Sequence, residues 1–120
     1  ANAWCSWAGR RLPSEAEWEF AATMRPDGAG GLTKADYPWG SDRFTPDRAN
    51  MDGFCMGCAE VADYAAGENA WGCRQLIGNV WVLRGGSWVT RSRYINAKYR
   101  NYFPPHRQDI FAGFRTCATN

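Results

Sequence analysis

Ala3, Trp4, Trp7 and Ala8 fall at the spacing of one helix face, and Gly9 follows, the residue that most readily takes the left-handed turn ending a helix. The pattern predicts the last turns of an amphipathic helix. Ser14 and Glu17 stand three apart, ahead of apolar Trp18, Ala21 and Ala22. That Ser-x-x-Glu order lets each residue's side chain cap the other's backbone, so a second helix is predicted to start after Ser14. From Arg25 to Cys73, Gly, Pro, Asp and Asn recur without sustained periodicity, which predicts ordered loops around short strands. Strand-like residues return at Asn79–Trp88, around Gly85-Gly86, and Ala112–Cys117 reads as a closing strand. The sum is a loop-rich α+β fold with no internal repeat.

Composition bounds this picture. At 120 residues, 45% apolar and 15% aromatic, the chain suits one domain with a real core. Seven Trp, five Tyr and six Phe also supply amphipathic surfaces of the kind that line ligand pockets. No apolar run approaches the roughly 18 residues that span a bilayer, and the first residues lack the order of a signal peptide. The chain opens without Met inside a helical pattern, from which a missing N-terminal part is expected. Five Cys, an odd number, fit a mostly reduced protein in the cytoplasm.

The net charge of +2 hides an asymmetry: residues 1–73 carry six basic and eleven acidic side chains, residues 74–120 eight basic ones and Asp109 as the one acid. Two readings follow. The halves pair their charges across a compact domain, or the arginines line a site for an anion such as a carboxylate. A pI of about 8.4 falls short of a strongly basic nucleic-acid binder, so no nucleic-acid partner is expected.

Imidazole-based metal catalysis needs several His, and His106 is alone. An iron or catalytic zinc site built from His within the chain is thereby excluded. Cys55 and Cys58 have CxxC spacing, and with Cys73 they could bind zinc, but no fourth ligand is evident; the alternative is reduced loop cysteines. His106 follows Pro104 and Pro105 and reads as a loop residue, not half of a catalytic dyad. Gly85-Gly86 lacks the Lys and following helix of a phosphate loop. The most site-like stretch is Tyr99–Arg107. It gathers aromatic, guanidinium and amide groups beside two prolines, a set able to hold a carboxylate and a quaternary ammonium.

The series Trp4-Cys5-x-Trp7-Ala8-Gly9-Arg10-Arg11-Leu12-Pro13-Ser14-Glu15-Ala16-Glu17-Trp18-Glu19, Tyr37-Pro38-Trp39-Gly40, Arg48-Ala49-Asn50, Gly78-Asn79-Val80-Trp81, Leu83-Arg84-Gly85-Gly86-Ser87-Trp88 and Gly113-Phe114-Arg115 resembles the formylglycine-generating enzyme, or sulfatase-modifying factor, family. Within it, Ala66–Gln75 and Arg100–Arg107 through Phe111–Arg115 look like the C-terminal domain of ergothioneine and selenoneine synthases. The resemblance implies an irregular fold of the C-type-lectin kind. It also implies part of an iron(II)- and oxygen-dependent oxidoreductase joining sulfur or selenium to trimethylhistidine, with the iron held by a separate N-terminal helical domain.

Carried over residue by residue, the resemblance puts Asn101 at a trimethylhistidine contact, Tyr102 on the pocket wall and Arg107 on the carboxylate of the donor, with Arg100 and Trp81 also contacting substrate. Phe103 stands where enzymes using a γ-glutamyl-cysteine donor have an acid, which leaves cysteine or a selenosugar as the thiol or selenol donor. Asn50 and Asn79 match positions that supply oxygens to calcium. Thr90 and Ile95 stand where formylglycine-generating enzymes have two catalytic Cys, so sulfatase activation is not expected. Trp81 runs straight into Val82-Leu83-Arg84, where relatives continue Glu-Trp-Thr; a segment is expected to be missing there. The rival reading is a free-standing small-ligand binder on a lectin-like scaffold.

Overall fold

The computed structural model describes residues 1–80, 86–87, 89–94, 99–100 and 112–119. Helix α1 spans Asn2–Trp7 and ends as its spacing predicts, with Ala8 N–H on the Trp4 carbonyl (2.9 Å) and Gly9 at φ +61°. A two-residue strand, β1 (Arg10–Arg11), follows at once. Helix α2 (Glu15–Thr23) opens on the expected capping box: Glu17 N–H donates to Ser14 Oγ (3.2 Å), and Ser14 N–H donates to Glu17 Oε2 (2.8 Å). The Arg11 guanidinium adds a two-pronged contact to the same carboxylate at 2.8 and 2.7 Å, tying β1 to α2.

Strands β2 (Met24–Pro26) and β3 (Leu32–Lys34) pair antiparallel, with Met24 opposite Lys34 and Pro26 opposite Leu32. Asp27 closes their hairpin by accepting the Ala29 and Gly31 N–H groups, contacts that lower its pKa. One-turn 3-10 helices lie at Ala65–Gly67 and Ser92–Tyr94. Strand β4 (Cys117–Ala118) pairs antiparallel with β1, Arg10 opposite Ala118 and Arg11 opposite Cys117.

This corrects the expected closing strand. Only its last residue, Cys117, is in β4, because β1 offers just two partners. Of the strand expected over 79–88, residues 81–85 and 88 lie outside the described residues; Asn79 and Val80 stand in a bend, and Gly86 and Ser87 in irregular backbone. The loop reading of residues 25–73 holds around the β2–β3 hairpin.

The core is small and lies between loops. Ala49, Met51 and Ile77 are buried together, and Trp18, Tyr37, Trp39, Phe44 and Tyr99 pack around them. Burying Met51 and Ile77 contributes about 1.5 to 3 kcal/mol each. Tyr37 and Trp39 stack at 5.0 Å and 4° across a tight turn, and the Arg48 guanidinium covers the Trp39 ring at 5.7 Å. Asn69 ties the loop behind α2 to the helix: its amide donates to the Ala21 carbonyl (2.7 Å) while its oxygen accepts from Trp71 and Cys73 N–H. Among the described residues, no helix is long and apolar enough to cross a membrane.

Candidate functional site

Two loops cross beneath the core, and buried amides stitch them. Asn50, 1% exposed, follows the core residue Ala49 on one loop; Asn79, 8% exposed, follows Gly78 on the other. Asn79 N–H donates to the Asn50 carbonyl at 2.9 Å. Asn50 Nδ2 donates to the Gly57 carbonyl (2.8 Å) and to Asn79 Oδ1 (3.2 Å). Asn79 Oδ1 also accepts the Ala59 N–H (2.7 Å), and Asn79 Nδ2 returns a bond to the Ala59 carbonyl (3.1 Å). Nearby, Gln75 Nε2 donates to the Glu60 carbonyl. Segment 57–60 is thus held by three side-chain amides.

The crossing demands unusual backbone. Gly78 sits at φ +79°, and a Cβ there would come within 2.5 Å of the Asn50 carbonyl. Asn79 at +66° and Gln75 at +50° are left-handed too, a conformation Asn tolerates better than Gln. Among the described residues, the buried oxygens Asn50 Oδ1 and Gln75 Oε1 have no hydrogen-bond donor. Asn79 Oδ1, by contrast, has both lone pairs engaged. Asn50 and Asn79, the two residues at calcium-ligand positions of the family, lie within hydrogen-bond distance of each other. Only Asn50 of that pair has its side-chain oxygen free.

Behind the crossing, Arg115 is half-buried, and its guanidinium donates to the Arg74 and Gln75 carbonyls. Burial lowers its pKa, against a smaller opposing effect of nearby Cys73. Asp52 accepts the Ser92 N–H (2.9 Å) and donates its own N–H to the Thr90 carbonyl (3.1 Å). Ser87 and Thr90, both buried, bond to each other.

Of the substrate-contact candidates, Trp81, Asn101, Tyr102, Phe103 and Arg107 lie outside the described residues, as does His106. Arg100 is described, exposed and paired with Glu15 at the start of α2. Its neighbour Tyr99 packs against the core. All five cysteines are free, and among the described residues no group of three or more His, Cys, Asp or Glu could hold a metal. Sequence reasoning missed Gln75 and Asp52 as parts of the crossing. The φ values that place them there leave no mark in residue type.

The sulfatase-modifying factor enzyme 1-like domain model matches residues 1–81. The chain belongs to this family. Among its relatives, the hercynine oxygenase of Mycobacterium tuberculosis is 35% identical over 146 aligned positions, covering 96% of this chain and 34% of the relative. The inactive C-alpha-formylglycine-generating enzyme 2 of Mus musculus is 40% identical, over 74% of this chain and 35% of its own length. The formylglycine-generating enzyme of Thermomonospora curvata is 41% identical over 73% of this chain and 31% of its own. The chain therefore spans about a third of the curated relatives it matches, and it is related to hercynine-processing oxygenases as well as to formylglycine-generating enzymes.

Proposed function

We propose that this chain is the substrate-binding portion of an iron(II)- and oxygen-dependent synthase joining sulfur or selenium to trimethylhistidine. The observation that carries the reading is breadth: similarity to hercynine oxygenase runs over 96% of the chain, against 73% for the Thermomonospora formylglycine-generating enzyme. The donors present do not fit an iron site, since the chain has one His and its described residues no cluster of three metal-ligating side chains. The family resemblance implies that iron is held by an N-terminal helical partner domain.

In this reading Asn101 offers trimethylhistidine both donor and acceptor, Tyr102 lines that pocket, and Arg107 holds the donor's carboxylate. Arg100 and Trp81 complete the pocket, and uncharged Phe103 favours cysteine or a selenosugar as donor. The scaffold is of the C-type-lectin kind, consistent with short strands and long ordered loops. The M. tuberculosis alignment runs over 146 positions and this chain has 120 residues, so the alignment contains gaps; the reading puts the missing segment after Trp81, where Val82-Leu83-Arg84 follows at once. A cytoplasmic location belongs to the same proposal.

The test rejoins the chain to an iron-binding partner domain and titrates trimethylhistidine plus cysteine. Arg107→Ala should weaken binding roughly tenfold to a hundredfold, the equivalent of losing a charge-assisted fork, and Arg107→Lys should recover part of it. Equal affinity in all three proteins overturns the donor pocket. Ligand binding that needs no partner domain and gives no turnover with one favours the rival binding module.

Calcium beside Asn50 and Asn79 is part of the proposal, supported by the donor-free Asn50 Oδ1. Adding calcium to chelator-treated protein should raise Tm, and Asn50→Ala should abolish the rise. An unchanged Tm in the wild type sinks it.

A further inference from the structure

Cys55 and Cys58 occupy a stretch folded back on itself by two successive turns. Phe54 N–H reaches the Met51 carbonyl at 3.3 Å, and Met56 N–H the Gly53 carbonyl at 3.2 Å. Met56 then takes a left-handed conformation, φ +50°, between the two cysteines. Both thiols are exposed, within reach of a solution oxidant.

Cys55 also has a specific partner. Its Sγ lies 2.8 Å from Tyr64 Oη, and Tyr64 is held in place by its own left-handed backbone and by the 3-10 turn that starts from its carbonyl. Tyr64 keeps its proton, its pKa pushed up to about 12 by burial first and by the Cys55 contact second. Either group can donate in this contact while both keep their protons; once the Cys55 sulfur is a thiolate only the phenol can, so Tyr64 stands where it can hold an attacking sulfur.

The backbone that follows is the one the amide crossing holds. Gly57 and Ala59 serve Asn50 and Asn79, and Glu60 serves Gln75. A covalent link closing residues 55–58 would reset the geometry of segment 57–60, which those amides grip.

We propose that Cys55 and Cys58 are a reversible dithiol–disulfide pair, with Cys55 as the attacking sulfur, whose oxidation is felt at the Asn50–Asn79 crossing. The Cys55 thiolate attacks one sulfur of a small-molecule disulfide such as glutathione disulfide, and one glutathione thiolate leaves. Cys58, as thiolate, then attacks Cys55 in the mixed disulfide and displaces the second. Two protein thiols become one disulfide; their two electrons and two protons end on two glutathione thiols. The inference is independent of any reading of the substrate pocket.

The test equilibrates the full chain with reduced and oxidised glutathione, quenches with acid, alkylates and maps peptides by mass spectrometry. A Cys55–Cys58 disulfide is expected, with Cys73 left as a thiol. Cys58→Ser should accumulate glutathione on Cys55, and Tyr64→Phe should slow alkylation of Cys55 about fivefold, the loss of one ordinary hydrogen bond. Oxidation should shift Tm in the wild type and leave Cys55→Ser unmoved. Any of three results overturns the proposal: both thiols free at every glutathione ratio, Cys55 joined to Cys73, or glutathione accumulating on Cys58 in Cys55→Ser but not on Cys55 in Cys58→Ser. An oxidised wild type with unchanged Tm overturns the link to the crossing.

Discussion

The α1–α2 region and the amide crossing sit in one molecule and hold together by opposite means. In the first, the contacts that set the helix ends join residues a few positions apart: Ser14 with Glu17, Arg11 with Glu17, Gly9 closing α1. In the second, Asn50 meets Asn79 across 29 residues and the Gly57 carbonyl across seven, on backbone with left-handed turns at Asp52, Gln75, Gly78 and Asn79. Local capping can lose one member and keep its helix. A crossing made of interlocked buried amides has no such reserve, because every lost partner leaves a desolvated group behind.

That difference sets the order of expected effects. Gly78→Ala should be the most damaging, because it adds backbone strain at φ +79° and drives a Cβ onto the Asn50 carbonyl and the Met51 side chain. A loss of about 3 kcal/mol in urea unfolding is expected. A cost under about 1 kcal/mol would show that the crossing yields, and the comparison would fail. Ser14→Ala should cost about 1 kcal/mol, the usual worth of an N-cap hydroxyl, read in the same assay. A cost equal to that of Gly78→Ala would erase the contrast.

Smallest at neutral pH is the response to acid. Glu17 is held down to about 2, chiefly by the Arg11 contact and then by the two Ser14 bonds. A carboxylate with a depressed folded-state pKa contributes stability that is present above its ordinary value, near 4.5, and lost as pH falls through about 2. Unfolding midpoints measured from pH 5 to pH 2 should fall less in Glu17→Gln than in the wild type. Parallel curves would remove Glu17 from the account.

The same contrast explains what could be read in advance. The Ser14–Glu17 box and the Gly9 stop are written in residue type at fixed spacing, so they were legible. Strand β1 was not, since a two-residue strand exists only through Cys117 and Ala118 at the far end of the chain. Asn50 and Asn79 stood out through family resemblance, and periodicity gave no hint of them. Gln75 was invisible, because left-handed backbone is common for Gly and Asn but not for Gln. The split into an acidic first part and a basic second part resolves in part into pairs, with Arg100 on Glu15 joining the two.

The pairing of β1 with β4 also has a kinetic meaning. Arg10 Nε reaches Thr116 Oγ1 at 2.6 Å across 106 residues, and Thr119 Oγ1 reaches the Gly9 carbonyl. Closing so long a loop costs more chain entropy than any other pairing described, and a strand of two residues returns little for it. It should therefore zip last in folding and fray first in the folded state. Amide protons of Arg10, Arg11, Cys117 and Ala118 would then exchange with solvent through local opening, well ahead of those of α2.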